Sequence, residues 1–217
     1  MKIRWYGQAN MLIESAEGIK IQCDPYDDTV GYRVPEFEPD IVTVSHDHFD
    51  HNAIDFTGGS PEIIREPGDF NVKGIKIKGV ESFHDDCGGR KRGKNIIYRF
   101  TIDNMNFVHM GDIGHTLDEK TIRALKPCDI VAVPVGGRYT VGGRDAADIV
   151  KGLSPSAAIP VHYDTPSNKI GLADANEFLS EFMEIRRSRA WEGRRKDLKD
   201  NIVVEVLMAL GEFKNER

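Results

Sequence analysis

Three of the chain's seven histidines fall within six consecutive residues. The stretch Thr43–Ile54, TVSHDHFDHNAI, carries His46, Asp47, His48, Asp50 and His51 directly after the apolar run Ile41–Val44. A strand that ends this way delivers imidazoles and carboxylates at a sheet rim, where ligands sit on loops held by a rigid scaffold. One such loop supplies part of a metal shell, not a complete pair of sites. The fold must therefore bring further ligands from elsewhere in the chain.

Other strand ends supply them. Strand signals cover Ile3–Tyr6, Met11–Glu14, Ile19–Cys23, Ile41–Val44, Ile75–Val80, Ile96–Ile102 and Asn106–His109, with a hairpin turn at Asp103–Asn106. The second half alternates: helix Asp118–Leu125, strand Asp129–Val133, helix Arg144–Leu153, strand Ala157–Val161, a longer helix over Ala173–Arg187, and strand Asn201–Leu207. Phe178, Phe182 and Ile185 give that longer helix an apolar face. The pattern predicts sheets covered by helices, an α/β or α+β layered domain. On this map ESFH delivers His84, FVHMGD delivers Asp112 and AAIPVH delivers His162, each just past a strand.

The residue types suit two metal ions. His46, His48 and His84 form a three-imidazole set that leaves a position for water, as on zinc. Asp50, His51 and His162 face a second ion, and the Asp112 carboxylate has two oxygens with which to bridge the pair. Two such ions share a hydroxide and clamp a reacting oxygen, so metal-assisted hydrolysis is expected. Zinc comes first as the ion; manganese and iron accept the same ligands.

Length and charge limit the rest. At 217 residues the chain is expected to form one domain, 1–217. A net charge of −6 argues against a chain-wide polyanion binder, though a local basic patch remains allowed. No signal peptide and no membrane span are expected, and an odd set of cysteines, Cys23, Cys87 and Cys128, without a CxxC pair fits free thiols in a reducing cytoplasm.

HDHFDH resembles the HxHxDH motif of the metallo-β-lactamase-fold hydrolases. Asp24, His84, Asp112 and His162 follow in the order of that family's other motifs, so the resemblance runs from Trp5 to about Thr165. It implies an α+β fold: a four-layer αββα sandwich, two mixed β-sheets face to face with helices outside and the metals on one edge. It also implies that His46, His48 and His84 bind one metal, that Asp50, His51 and His162 bind the other, and that Asp112 bridges. Asp24, in CDPY, becomes an outer residue orienting a ligand; otherwise it caps a turn before Pro25. Pro134–Ala147, PVGGRYTVGGRDAA, with Ile159–Thr165, is similar to the branch related to ascorbate-6-phosphate lactonase and to N-acyl-phosphatidylethanolamine phospholipase D. Such relatives often have histidine where this chain has Gln8.

Substrate contacts are less explicit. Arg90 and Arg92 lie in GGRKRGKN, which reads either as a flexible solvated loop or as an anion-attracting lid. Arg138, Tyr139, Thr140 and Arg144 lie in a glycine-rich loop free to approach a ligand. His115 is either a substrate contact or a polar helix-entry residue. His109 reads as a packed strand residue, Cys87 as a bystander thiol, and Arg186–Lys196 as a charged helix end. The expectation is a metal-dependent hydrolase that uses a bridging hydroxide on an ester, lactone or phosphoester of a small anionic molecule. Asp50 and Asp112 are its catalytic carboxylates, with Asp50 orienting or accepting a proton. Alternatives are a phosphodiesterase on nucleic acid and an iron-dependent oxidoreductase. A homo-oligomer is allowed.

Overall fold

Side-chain parity in the second half of the chain shows how the layers stack. In strand Ile130–Pro134, Ile130 and Ala132 join one apolar cluster while Val131 and Val133 join another. A strand buried on both faces lies between two layers. The computed structural model describes residues 1–212 and resolves those layers.

The first sheet is built from β1 (Lys2–Gly7), β2 (Asn10–Glu14), β3 (Lys20–Cys23), β4 (Ile41–Thr43) and β5 (Glu62–Ile64). The second comprises β6 (Gly68–Val72), β7 (Ile75–Phe83), β8 (Lys94–Ile102), β9 (Met105–His109), β10 (Ile130–Pro134), β11 (Ala157–Val161), β12 (Ile185–Ser188) and β14 (Val203–Leu207). Strand β13 (Trp191–Glu192) returns to the first sheet, whose order is β13-β1-β2-β3-β4-β5; the second runs β12-β14-β11-β10-β9-β8-β7-β6. Both are mixed. In the first, β1, β2 and β3 are antiparallel and β3, β4 and β5 parallel. In the second, β6 to β9 are antiparallel and the strands from β9 to β12 parallel.

One core fills the space between the sheets: Ile3, Trp5, Ile13, Ile21 and Ile41 meet Ile77, Phe100, Phe107 and Ile159. The second core lies on the other face of the second sheet. There α1 (Glu119–Leu125), α2 (Gly143–Leu153) and α3 (Asn176–Leu179) bury Leu125, Ile149, Val150 and Phe178 against Ile97, Val108 and Val131. Helix α2 is amphipathic by spacing: Ala146, Ala147, Ile149, Val150 and Leu153 are buried, as i, i+3, i+4, i+7 predicts. Truncating fully buried Phe178 to alanine should cost about 3–5 kcal/mol. The architecture is the expected α+β sandwich of two mixed sheets.

Three local expectations change. The helix over Ala173–Arg187 shortens to α3, because Ile185 pairs with Val204 in β12 and sheet pairing overrides the helical spacing of Phe178, Phe182 and Ile185. The charged helix end at Arg186–Lys196 is instead β12, β13 and a 3₁₀ turn at Arg195–Asp197, where Arg195 bonds Asp129 at 2.9 Å. The hairpin turn narrows to Asp103 and Asn104, both at positive φ, with Ile102 paired to Met105; two αL residues form the type I′ turn that matches strand twist.

Candidate metal centre

Strand ends converge on one rim. Asp24 follows β3, Ser45 and His46 follow β4, His84 follows β7, Asp112 follows β9, and His162 follows β11. Gln8 sits in the turn between β1 and β2. Gln8, Asp24 and His162 all hold positive φ, 49°, 48° and 51°. Non-glycine residues there cost roughly 1–2 kcal/mol each, and such strain gathers at functional sites. Gly111 also has positive φ, and a Cβ there would collide with Ser45 and Asn95. The chain before Asp112 therefore needs glycine.

The histidines and acids close on one another. Ligand atoms of His46, His48 and His84 lie within 4.8 Å of one another, as do those of Asp50, His51 and His162, and those of His46, His51 and Asp112. Asp112 Oδ2 is the hub: His51 Nε2, His84 Nε2 and His162 Nε2 approach it at 3.3, 3.3 and 3.2 Å. Yet His51 Nε2, His84 Nδ1, Asp112 Oδ1 and both His162 ring nitrogens are buried without a hydrogen-bond partner. Each unsatisfied buried group costs roughly 1–3 kcal/mol. Donor atoms crowded together, orphaned and of imidazole and carboxylate type, fit a pair of divalent cations.

Electrostatics point the same way. Burial, helped by the charge on His51, lowers His46 to about 3, so its ring is neutral near pH 7 as a ligand must be. Burial also lowers His84. Burial alone would raise Asp112, but His162 and His51 outweigh it and hold the carboxyl well below its usual range. Burial would likewise lower His51, yet Asp112, Asp50 and Asp24 raise it well above its ordinary value. A proton on His51 therefore balances the surrounding acids until a cation does.

A second ring of residues aims these side chains. Asp24 Oδ1 accepts from Ser45 N at 2.8 Å, and Oδ2 accepts from Ser45 Oγ at 2.6 Å and from His51 Nδ1 at 3.0 Å. Ser45 Oγ is thus committed as a donor to Asp24, so His46 Nδ1, 2.9 Å away, donates to it and leaves Nε2 with its lone pair. Asn95 is fully buried; its Oδ1 accepts from Asp112 N, while its Nδ2 donates to Ser82 and Met110. Gln8 Nε2 donates to Asp50 Oδ2 at 2.9 Å, and the Gln8 carbonyl accepts from His162 N at 3.0 Å. Ser45, Asn95 and Gln8 escaped prediction as positioners because amides and hydroxyls carry no ligand motif. His109 packs in β9 and bonds the Ala9 carbonyl at 2.8 Å, in keeping with a strand residue.

A cavity of about 370 Å³ opens over the hub, with His48, Asp50, His84, Asp112 and His162 on its floor. Phe49, Arg92, Tyr139 and Ile170 form the walls. The Arg92 guanidinium lies 5.7 Å and that of Arg138 5.3 Å from the Tyr139 ring centre, and Arg138 also donates to the carbonyls of Ile170 and Gly171. Of the predicted substrate contacts, Arg92 and Tyr139 line this cavity and Arg138 braces it. Arg90 is exposed and outside its lining; Thr140 is buried and bonds the Val141 carbonyl; His115 bonds the Thr116 carbonyl. GGRKRGKN exposes Arg90, Lys91 and Lys94 to solvent but is anchored through its backbone. Asp85, buried beside His84, accepts from the backbone N–H groups of Cys87, Gly89, Lys91 and Arg92 at 2.8–2.9 Å, winding the loop about one carboxylate.

The family described as the beta-lactamase superfamily domain matches residues 2–162. A UPF0173 metal-dependent hydrolase of Thermoplasma acidophilum is 31% identical over 192 residues, covering 76% of this chain and 84% of its own. A crystal structure from Thermotoga maritima, described as a candidate Zn-dependent hydrolase of the metallo-β-lactamase superfamily, is 35% identical with a TM-score of 0.81. The match covers 95% of this chain and 99% of that one. An isothiocyanate hydrolase from Delia radicum gut bacteria shares the fold, with a TM-score of 0.64 at 16% identity, over 94% of this chain and 96% of its own.

Proposed function

Because this chain belongs to the beta-lactamase superfamily and is a metal-dependent hydrolase by that kinship, we propose that it cleaves an ester, lactone or phosphoester of a small anionic molecule. The observation that carries the reading is the convergence of three imidazole Nε2 atoms on Asp112 Oδ2 beneath a cavity walled by Arg92 and Tyr139.

In this reading His46, His48 and His84 would hold one cation and Asp50, His51 and His162 the other, and Asp112, whose Oδ2 lies against His84 of one set and His51 and His162 of the other, would serve both. Bound there, two divalent cations would supply a Lewis acid for the electrophilic oxygen and lower the pKa of water toward neutrality. The chain's own residues do the rest. Phe49, Tyr139 and Ile170 exclude water from one side of the reacting group. Arg92 draws the negative charge of the substrate toward the floor. Asp50, whose Oδ2 accepts from Gln8, would sit beside the second cation and orient an incoming water or accept its proton there. A lactone or ester of a phosphorylated small molecule fits this mixture of an apolar wall and a guanidinium best.

The test is a screen of lactones, carboxylic esters and bis-p-nitrophenyl phosphate with zinc-, manganese- and iron-loaded protein. The reading expects metal-dependent turnover of lactones or esters, strongest when an anionic group is present. Turnover confined to phosphodiesters would favour a nuclease-like activity instead. Oxygen uptake with the iron form, without hydrolysis, would favour an oxidoreductase.

A further inference from the structure

A second cavity, of about 340 Å³, adjoins the first and shares His48 and Arg92 with it. Its remaining wall includes His46, Arg65, Glu81 and Lys94, over an apolar floor of Val44 and Ile96. Lys94 and Glu81 neutralise each other at 2.7 Å. Asp47, also at this wall, accepts from Asn52 at 2.7 Å and keeps its negative charge, so Arg65, Arg92 and Lys94 face Glu81 and Asp47 with one positive charge in excess. Among the described residues, neither the Arg65 nor the Arg92 guanidinium enters an ion pair. Arg65 stands one residue past β5, and Arg92 is fixed by the Asp85-wound loop, so neither position is a free-swinging tail.

Two guanidiniums without an ion-pair partner, on a wall with a net positive charge beside a pair of candidate cation sites, leave that charge uncompensated. The charge sum is relieved by a compact oxyanion, which guanidinium forks bind in bidentate fashion. The apolar floor lowers the local dielectric and strengthens that attraction. We propose that this second cavity is an oxyanion subsite for the substrate's non-reacting end. Resting on the hydrolase reading above, it defines the substrate as a small molecule with two separated parts. A scissile ester or lactone lies over Asp112, and a phosphate or carboxylate reaches past His48 to Arg65 and Arg92. Arg92, on the shared wall, contacts both parts. Arg65 recognises the anion alone and sets specificity without touching the reacting bond.

Arg65 is exposed and outside the expected ligand set, so its variants test the subsite without dismantling the fold. Calorimetric titration of metal-loaded protein, freed of excess metal, with inorganic phosphate and separately with acetate is compared in wild type, R65Q and R65E. The subsite predicts binding that weakens about tenfold in R65Q and disappears in R65E, and the stronger of the two anions names the substrate's group. Unchanged phosphate and acetate binding in R65E overturns it. So does a single-stranded decanucleotide that binds tighter than phosphate and loses that advantage in R65E, because the cleft then serves a nucleic-acid backbone. A kinetic arm separates the two readings. If matched anionic and neutral esters are hydrolysed and R65E raises KM equally for both, the subsite fails and the hydrolase stands. If nothing is hydrolysed, the hydrolase reading fails and the anion titration still decides the subsite.

Discussion

Gln8 Nε2 donates a 2.9 Å hydrogen bond to Asp50 Oδ2 across 42 positions of sequence. The same glutamine accepts from Asn168 Nδ2 at 3.0 Å, in the segment that also supplies Ile170 to the cavity wall. One buried amide thus links a candidate metal ligand to a substrate-facing loop. Replacing Gln8 by leucine removes the donor while keeping the volume. It should weaken the cation proposed for Asp50, His51 and His162 about 10- to 100-fold and leave the one proposed for His46, His48 and His84 within a few-fold. Stepwise metal titration resolves the two constants; equal weakening of both would assign Gln8 a general structural role.

Metal entry should expel a proton. Metal-free His51 is raised above its ordinary pKa of about 6.5, so the stability its proton brings is present below that value and fades as pH rises through the folded one. A cation needs the neutral ring, so affinity should fall as pH falls. Calorimetry of zinc binding in two buffers of different protonation enthalpy measures the protons released. Zero release near pH 7 would contradict the charge assignment.

The Asp85 loop gives a third expectation. Burial opposes ionisation of Asp85, but backbone N–H groups of Arg92, Cys87 and Lys91 outweigh it and hold the carboxyl below its usual range. A depressed carboxylate stabilises the loop above the ordinary value of about 4 and loses that contribution as pH falls. Asp85→Asn keeps one accepting oxygen and replaces the other by an NH₂ that cannot accept, so hydrogen exchange at neutral pH should speed several-fold at one pair, Cys87 with Gly89 or Lys91 with Arg92, with β10 unaffected. Unchanged exchange in the loop would show that the carboxylate does not organise it.

Tyr139 stacks under two guanidiniums and walls the reaction cavity. Tyr139→Ala should raise KM about tenfold through lost apolar contact and change kcat less. The comparison uses whichever ester the screen identifies; an effect on kcat alone would move Tyr139 from binding to the chemical step.

The gathering of these candidate side chains was legible because His46, His84, Asp112 and His162 each follow a strand, and strands running the same way emerge on one rim. Gln8 was visible only as an oddity: its reach to Asp50 depends on a turn at positive φ that no residue pattern announces. Asp85 was hidden among its basic neighbours, since the loop is wound by backbone N–H groups and not by side chains. Ile185 misled for a different reason. Its spacing from Phe178 and Phe182 fits a helix, and only pairing with Val204, 19 positions on, makes it a strand.

Under the proposed mechanism Asp112 serves two cations that this chain needs for hydrolysis. Metal content measured by inductively coupled plasma mass spectrometry, alongside hydrolysis of the screened ester, tests it in wild type and Asp112→Ala. The expected result is two divalent ions per wild-type chain, falling to one or none in the variant, with hydrolysis reduced by at least about a thousandfold. Two ions and undiminished hydrolysis in a folded Asp112→Ala protein would contradict it.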